Sequence, residues 1–175
     1  WWFLPWHRAY LRFFERMLQA AVSDPTLGLP YWDWENDLSI PTQYWGACNS
    51  LFNPSRCMKE TDLLDKTEVS KALSQARGAA NFVEFRGGNP PPDPAVRRIP
   101  GQLERGIHNY VHYKIGGDMM VFGTSAFDPV FWAHHAALDR FWQLWVDSLR
   151  SDPHPVDPLW RNQPFKFYDT NGQCV

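Results

Sequence analysis

The stretch Phe131–Trp145, FWAHHAALDRFWQLW, decides the fold of this chain. Its large side chains recur at steps of three and four residues, which is the spacing of one face of an α-helix. That face contains a histidine among the apolar residues: Phe131, His135, Leu138, Trp142, Trp145 and Leu149. In a helix of 3.6 residues per turn, His134 is rotated about 100° away from His135. The pattern therefore predicts a buried helix in which the His135 imidazole faces the core and needs a partner there.

The N-terminal segment predicts a second helix with a histidine on its apolar face. Pro5 suits the first turn of a helix. The helical spacing continues to the turn at Ser23–Pro25, with apolar residues at Leu11, Phe14, Leu18 and Ala21. His7 lies four residues before Leu11 and so points toward the core as well.

A third helix, around Leu103–Tyr113, carries two histidines. His108 and His112 are four residues apart, so their imidazoles lie side by side on one helical face, within reach of one metal ion. Gly116 breaks the pattern. A pair with this spacing is common on solvated helix faces, and its significance depends on the other histidines.

The rest of the chain adds one modest helix and long loops. Asp128 is the expected N-cap of the aromatic helix, with Pro129 in its first turn. A short helix is predicted near Glu68–Ala76, a loop at Gly87–Pro94, and a strand-like tail with a turn at Asn171–Gly172. The fold class predicted is mainly α, with a four-helix-bundle-like core, long irregular loops and little strand.

Composition favours one compact enzyme or binding domain. The chain has 175 residues, 44% of them hydrophobic, and a formal net charge of -2. This charge gives no basic footprint for nucleic acid, and no apolar run reaches the roughly 18 residues that span a bilayer. The sequence thus predicts no nucleic-acid partner and no membrane partner.

The three cysteines leave their chemistry open. Cys48 and Cys57 could close a loop as a disulfide or remain free thiols, and Cys174 is left over. The chain lacks the paired cysteines of structural zinc sites.

Five of the six histidines fall on the three apolar helices, whereas His154 sits in a Pro-rich segment. Each of the five, taken alone, is most simply a core histidine with its own hydrogen-bond partner. One shared metal site instead accounts for four of them together: His7, His108, His112 and His135. Imidazole ligands without thiolates or a carboxylate cluster favour copper or zinc over iron, calcium or magnesium.

The motifs FLPWHRAYLRFFE, YWDW, LERGIHNYVH, GGDMM and DPVFWAHHAALDRFW occur in this order from Trp1 to about Trp145. Together they resemble the central domain of the tyrosinase, catechol oxidase and molluscan haemocyanin family, the coupled dinuclear copper proteins. The resemblance implies a helical core around a dinuclear copper site that binds dioxygen. It makes His7 a ligand of the first copper ion.

The same resemblance makes His108, His112 and His135 the three ligands of the second copper ion. His134 then supports the site without binding copper. Asp139 is expected to orient an imidazole through its second nitrogen. The alternative for Asp139 is a salt bridge with Arg140 or another neighbour.

In the family, two further histidines upstream of the counterpart of His7 complete the first copper site. The resemblance therefore predicts that residues 1–175 are a single tyrosinase-like copper domain lacking its N-terminal part, with residues 151–175 as its tail. Such a fragment holds one complete three-histidine copper site, and we expect it to be inactive alone.

Three more residues match family positions near the second copper ion. Glu104 and Asn109 match positions that hold a water suited to deprotonating a phenol; the alternatives are a surface carboxylate and an amide bonded to the backbone. Phe122 matches the residue that covers the copper and gates access, and could equally be core. The leading hypothesis is an oxidoreductase that converts phenols or catechols to ortho-quinones with dioxygen. The alternatives are a haemocyanin-like dioxygen carrier and an inactive remnant that binds a single metal ion.

Overall fold

The computed structural model describes residues 2–88, 99–148 and 154–175. Of these residues, 52% are helical and 3% pair as strand, which confirms the mainly helical class. The α-helices are α1 (Phe3–Val22), α2 (Lys66–Arg77), α3 (Phe82–Arg86), α4 (Asn109–Ile115), α5 (Val130–Asp147) and α6 (Pro158–Arg161). Short 3₁₀ turns cover Thr42–Tyr44, Gly117–Met120 and Ser125–Phe127.

The aromatic helix α5 is the centre of the core, as its sequence predicts. The residues of its apolar stripe from Phe131 to Trp145 are at most 4% exposed, and α1 packs along it. Leu149, the last residue of the predicted stripe, lies outside the described residues. His134 is also fully buried, because neighbouring segments cover the second face of the helix.

The start of α5 differs slightly from the prediction. The helix begins at Val130 rather than Pro129, yet the Asp128 carboxylate still accepts a hydrogen bond from the Val130 amide at 3.0 Å. Asp128 also forms a buried ion pair with Arg56, at 2.6 Å, and both side chains are at most 1% exposed. The predicted N-cap is therefore wrong by one residue, because Pro129 occupies that position, and the partner Arg56 is 72 residues away from Asp128.

The third predicted helix is interrupted by a wider turn. Residues Glu104–His108 form a π-helical turn that runs into α4, and Gly106 within it departs from helical geometry. A Cβ atom at Gly106 would lie 3.4 Å from the Cβ of Ala72, so the missing side chain lets α2 pack closely against this turn. We infer that this close packing accounts for the departure from a regular helix, and π turns often occur at functional sites.

The YWDW segment covers the far side of α5. The Trp32 amide donates to the carbonyl of Ala133 at 3.0 Å, and Trp32 and Trp34 are almost fully buried. Trp34 meets the ring of His134 edge-on, with ring centroids 5.3 Å apart. This segment therefore closes the core beside the histidine pair.

The tail returns to α1. Backbone hydrogen bonds pair Phe167 with Val175 in both directions, and Gly172 adopts a positive φ of 72° in the intervening turn, as predicted. Phe167 packs on Phe13 of α1 with ring centroids 5.1 Å apart. Most of the predicted Gly87–Pro94 loop falls outside the described residues.

The cysteine side chains do not pair. Cys48, Cys57 and Cys174 are free thiols, so the disulfide considered between Cys48 and Cys57 is absent.

Among the described residues, no helix combines the length and apolar character that a membrane span requires.

Candidate metal centre

Five imidazoles from three helical segments form one cluster between α1, α4 and α5: His7, His108, His112, His134 and His135. All but His7 bring one nitrogen each to within 4.8 Å of the others. The ring of His7 stacks on that of His135 with ring centroids 4.3 Å apart. Phe3 and Phe131 pack against the cluster, 4.7 Å from His108 and 4.1 Å from His135 between ring centroids. The structure thus brings together the four histidines that the sequence placed on apolar helix faces, and it adds His134, which the sequence had placed off that face.

Hydrogen bonds fix the orientation of three of these rings. The Nδ1 atom of His7 donates to the carbonyl of Phe3 at 2.7 Å, and that of His112 donates to the carbonyl of Met119 at 2.5 Å. In His108, Nδ1 donates to Oδ1 of Asn109 at 2.9 Å. Because an imidazole that donates through Nδ1 keeps a lone pair on Nε2, all three rings offer Nε2 as a metal ligand.

The contact between His112 and His135 has the spacing of two ligands that share one metal ion. Their Nε2 atoms are 3.3 Å apart, and two nitrogens that each bind one ion at about 2.0–2.1 Å are held roughly 3 Å apart. The Nδ1 atom of His135 is buried and has no hydrogen-bond partner in the described part of the chain. In the structure this contact is a hydrogen bond between the two rings, and a shared metal ion would take the place of its proton, so the residues present fit a metal.

Burial keeps these imidazoles in the neutral, metal-binding form. The pKa of His108 and that of His135 lie well below the ordinary value, because burial penalises the charged ring and neighbouring imidazoles would repel a second positive charge. Burial also lowers the pKa of His112, although the hydrogen bond to Met119 opposes this shift. Neutral imidazole is the form that coordinates metal ions.

His134 lies in the cluster beside His135, so burial alone does not separate the two. The His134 ring is fully buried, it stacks on His108 at 5.7 Å, and neither of its nitrogens has a hydrogen-bond partner in the described segments. Its contact with Trp34 places it toward the YWDW segment, whereas His135 contacts His7 and the Nε2 atom of His112. Both rings lie near His112, with ring centroids 5.2 and 5.5 Å away for His134 and His135, and the choice of His135 as the third ligand stays a prediction.

The described residues show Asp139 bonded to Arg8 rather than to an imidazole, and its role in orienting a histidine stays a prediction. Its carboxylate instead accepts a hydrogen bond from Nε of Arg8 at 2.6 Å, and its alternative partner Arg140 lies over the ring of Tyr31. Arg8 also stacks on the ring of Trp142, 3.9 Å from its centroid. Since Arg8 follows His7 directly, this contact ties α1 to α5 next to the stacked rings of His7 and His135.

A double-mutant cycle tests the Arg8–Asp139 pair. The two side chains are 38% and 30% exposed, so we expect a coupling free energy of about 0.2–1 kcal/mol, the range of solvent-exposed ion pairs. Denaturant unfolding of Arg8→Ala, Asp139→Ala and the double variant measures it. The matched cycle with Arg140→Ala should give no coupling to Asp139. A larger coupling with Arg140 would contradict the geometry.

The other predicted site residues, Glu104, Asn109 and Phe122, differ in their exposure to solvent. Glu104 is buried in the π turn one helical turn before His108, and Asn109 is exposed but bonded to His108. Phe122 is 99% exposed, which excludes it from the core. Its ring does not cover the histidines here, and its gating role stays a prediction.

Three groups that contact or brace the histidine cluster were not predicted from the sequence. These are the Met119 carbonyl, the Arg8 side chain and the aromatic wall formed by Phe3. The Arg residue directly after His7 was a visible signal, but its partner is 131 residues away. The hydrogen bond of His112 to the Met119 carbonyl cannot be predicted from residue types, because every residue has a backbone carbonyl.

Comparison with known proteins agrees with this geometry. The family model described as the common central domain of tyrosinase matches residues 1–85 and 51–148. The chain is 31% identical to a latent chloroplastic polyphenol oxidase from Prunus armeniaca and 33% identical to a tyrosinase from Hahella sp.. Each match covers 100% of this chain, but only 34% and 42% of the respective relative.

Solved structures show the same fold. The crystal structure of a polyphenol oxidase from Grenache (Vitis vinifera) matches with a TM-score of 0.88 and 33% identity, over 99% of this chain and 59% of that one. An active aurone synthase, a polyphenol oxidase described with copper B, matches with a TM-score of 0.83 and 31% identity, over 99% of this chain and 60% of that one. The chain belongs to the tyrosinase family, and it corresponds to that family's common central domain.

Proposed function

We propose that this chain forms the second copper site, and contributes His7 to the first, of an oxidoreductase that converts phenols or catechols to ortho-quinones with dioxygen. The metal of the tyrosinase family is copper, and His108, His112 and His135 belong to a group of histidines that could hold a metal ion. The observation that carries the proposal is the convergence of the Nε2 atoms of His112 and His135 at 3.3 Å inside a buried imidazole cluster. The relatives named above are polyphenol oxidases and a tyrosinase, which supports an enzyme over a dioxygen carrier.

His108, His112 and His135 would hold the second copper ion. His7, whose ring stacks on that of His135, would be one ligand of the first ion, and we infer that the other ligands of that ion come from outside these 175 residues. When bound, the copper pair supplies dioxygen activation and the oxidising power. The chain's own residues orient the imidazoles, keep them neutral and limit the access of water.

Glu104 and Asn109 are the candidates for proton management. We infer that the buried Glu104 carboxylate accepts, directly or through a water, the hydroxyl proton of an incoming phenol. Asn109 has a contact that the sequence did not predict, because its Oδ1 atom accepts the hydrogen bond from His108. Its replacement would therefore disturb a copper ligand as well, and Glu104 gives the cleaner test of proton transfer.

The variant Glu104→Gln removes the base and keeps the shape. We expect monophenol hydroxylation to fall by about 100-fold, the lower bound for loss of general-base assistance, while catechol oxidation falls much less. The measurement is the ratio of the two activities at one pH in the complete protein, with copper content determined in each preparation. Equal losses of both activities at full copper occupancy would exclude this role.

Oxygen uptake separates the enzyme from a carrier. The copper-loaded complete protein should consume dioxygen continuously in the presence of a simple catechol and form the coloured quinone. Reversible binding of dioxygen without quinone formation would indicate a carrier. A single bound metal ion per complete protein, with neither quinone formation nor dioxygen binding, would indicate the inactive remnant.

A further inference from the structure

The turn Gly116–Met120, the GGDMM motif, holds the carbonyl to which His112 is bonded. Met119 accepts the Nδ1 hydrogen bond of His112 at 2.5 Å, so the position of this turn decides how the ring sits. Gly116 and Gly117 both have positive φ, at 70° and 54°. A Cβ atom at Gly117 would collide with the Ser55 carbonyl, so the turn packs tightly against the loop formed by residues 53–58.

Asp118 clamps the turn to that loop. Its Oδ2 atom accepts hydrogen bonds from Nδ2 of Asn53 at 2.8 Å and from Oγ of Ser55 at 3.0 Å. The Asp118 amide donates back to Oγ of Ser55, also at 3.0 Å. The hydrogen bond from Asn53 and then that from Ser55 lower the pKa of Asp118, so its side chain is an anion at neutral pH.

The same loop is bonded to the end of α4. The amides of Cys57 and Met58 both donate to the Ile115 carbonyl, at 2.8 and 3.2 Å. The loop therefore holds the chain on both sides of the glycine pair, at Ile115 and at Asp118. Between these two points the backbone has little freedom to move the Met119 carbonyl away from His112.

We propose that Asp118 is a positioning residue for the second copper ion. Through Asn53 and Ser55, it fixes the Met119 carbonyl, which in turn holds His112 as the Nδ1–H tautomer with Nε2 directed toward His135. This inference rests on the proposed function, in which His112 is a copper ligand. Without the hydrogen bonds of Asp118, the turn can shift. The His112 ring can then rotate, or carry its proton on Nε2 instead of Nδ1.

Two variants of Asp118 separate positioning from charge. We expect Asp118→Ala to weaken copper binding by about 10-fold, the lower end of the 10–100-fold loss seen when an outer partner of a metal ligand is removed. Asp118→Asn should keep near-normal affinity, because a single oxygen atom accepts both hydrogen bonds and an amide oxygen can replace it. The matched control is Asp24→Ala, since the Asp24 carboxylate also bonds a nearby amide and hydroxyl, those of Thr26, but lies in another loop.

A second readout needs no copper. The ¹⁵N chemical shifts of the His112 ring in the metal-free protein report which nitrogen carries the proton. Wild type and Asp118→Asn should show Nδ1–H alone, whereas Asp118→Ala should show a mixture or Nε2–H. Ser55→Ala, a milder change, should move the tautomer in the same direction and serves as the test if Asp118→Ala does not fold.

The inference is overturned if Asp118→Ala and Ser55→Ala keep both the wild-type tautomer and the wild-type copper affinity. It is also overturned if Asp118→Asn loses as much affinity as Asp118→Ala, because the effect would then be one of charge. His112→Ala serves as the reference. Unchanged copper affinity in His112→Ala would contradict the ligand assignment, whereas the tautomer measurement would still decide the role of Asp118.

Discussion

Replacing His112 with alanine is expected to lower the affinity of the second site for copper by more than about 100-fold, because loss of a mere outer partner of a ligand already costs about 10–100-fold. The alanine removes the Nε2 atom that faces His135 at 3.3 Å and leaves at most two of the three proposed imidazoles for the ion. Titration with copper against a competing chelator measures the change. The expected loss concerns affinity and not folding, because the His112 ring is only partly buried.

The matched control is His154, the histidine outside the cluster. Its ring packs among Phe82, Trp142 and Trp160, so His154→Ala should affect stability and leave copper affinity unchanged. His134→Ala provides a second comparison, since it removes a neighbouring imidazole that we do not assign as a ligand. Wild-type copper affinity in His112→Ala, or a larger loss in His134→Ala than in His135→Ala, would contradict the ligand set.

Removing the carboxylate of Asp128 is expected to lower the free energy of unfolding by about 3–5 kcal/mol, the cost of leaving one buried charge without its partner. Arg56 donates two hydrogen bonds to this carboxylate, at 2.8 and 2.6 Å, and its own side chain is 1% exposed. Asp128 also accepts a hydrogen bond from the Val130 amide at the start of α5, so the variant weakens the helix that carries His135. Denaturant unfolding of Asp128→Ala measures the loss.

Two comparisons make this prediction specific to the buried pair. Asp139→Ala breaks a half-exposed ion pair and should cost no more than about 1 kcal/mol. The double variant Arg56→Met with Asp128→Leu removes both buried charges and should recover part of the stability lost in Asp128→Ala, because apolar replacement of a whole buried pair is often tolerated. A loss in Asp128→Ala no larger than that in Asp139→Ala would show that the buried pair is not a major source of stability.

The helical periods were readable because they depend on local sequence. The step of three and four residues in α5 predicted which side chains are buried and placed His135 in the core. The same helical spacing, read without knowledge of the fold, predicted that His7, His108 and His112 face a shared site in the core. The helical spacing also predicted that His134 lies off the core face of α5. Its ring is nevertheless buried, because the YWDW segment covers it.

Long-range partners were not readable. Arg8 and Asp139, like Arg56 and Asp128, are joined only by tertiary packing, and a single sequence does not indicate which of many charged residues will meet. The π turn at Gly106 also depends on the approach of α2. The exposed position of Phe122 depends on the path of the turn that follows α4, which local sequence does not define.

We propose that His108, His112 and His135 share one copper ion. Crystals of the copper-loaded chain, measured at the copper absorption edge, locate the metal directly through its anomalous scattering. We predict that the strongest peak lies about 2.0–2.1 Å from the Nε2 atom of each of these three residues. A peak bonded to His134 in place of His135, or one outside the histidine cluster, would contradict the account.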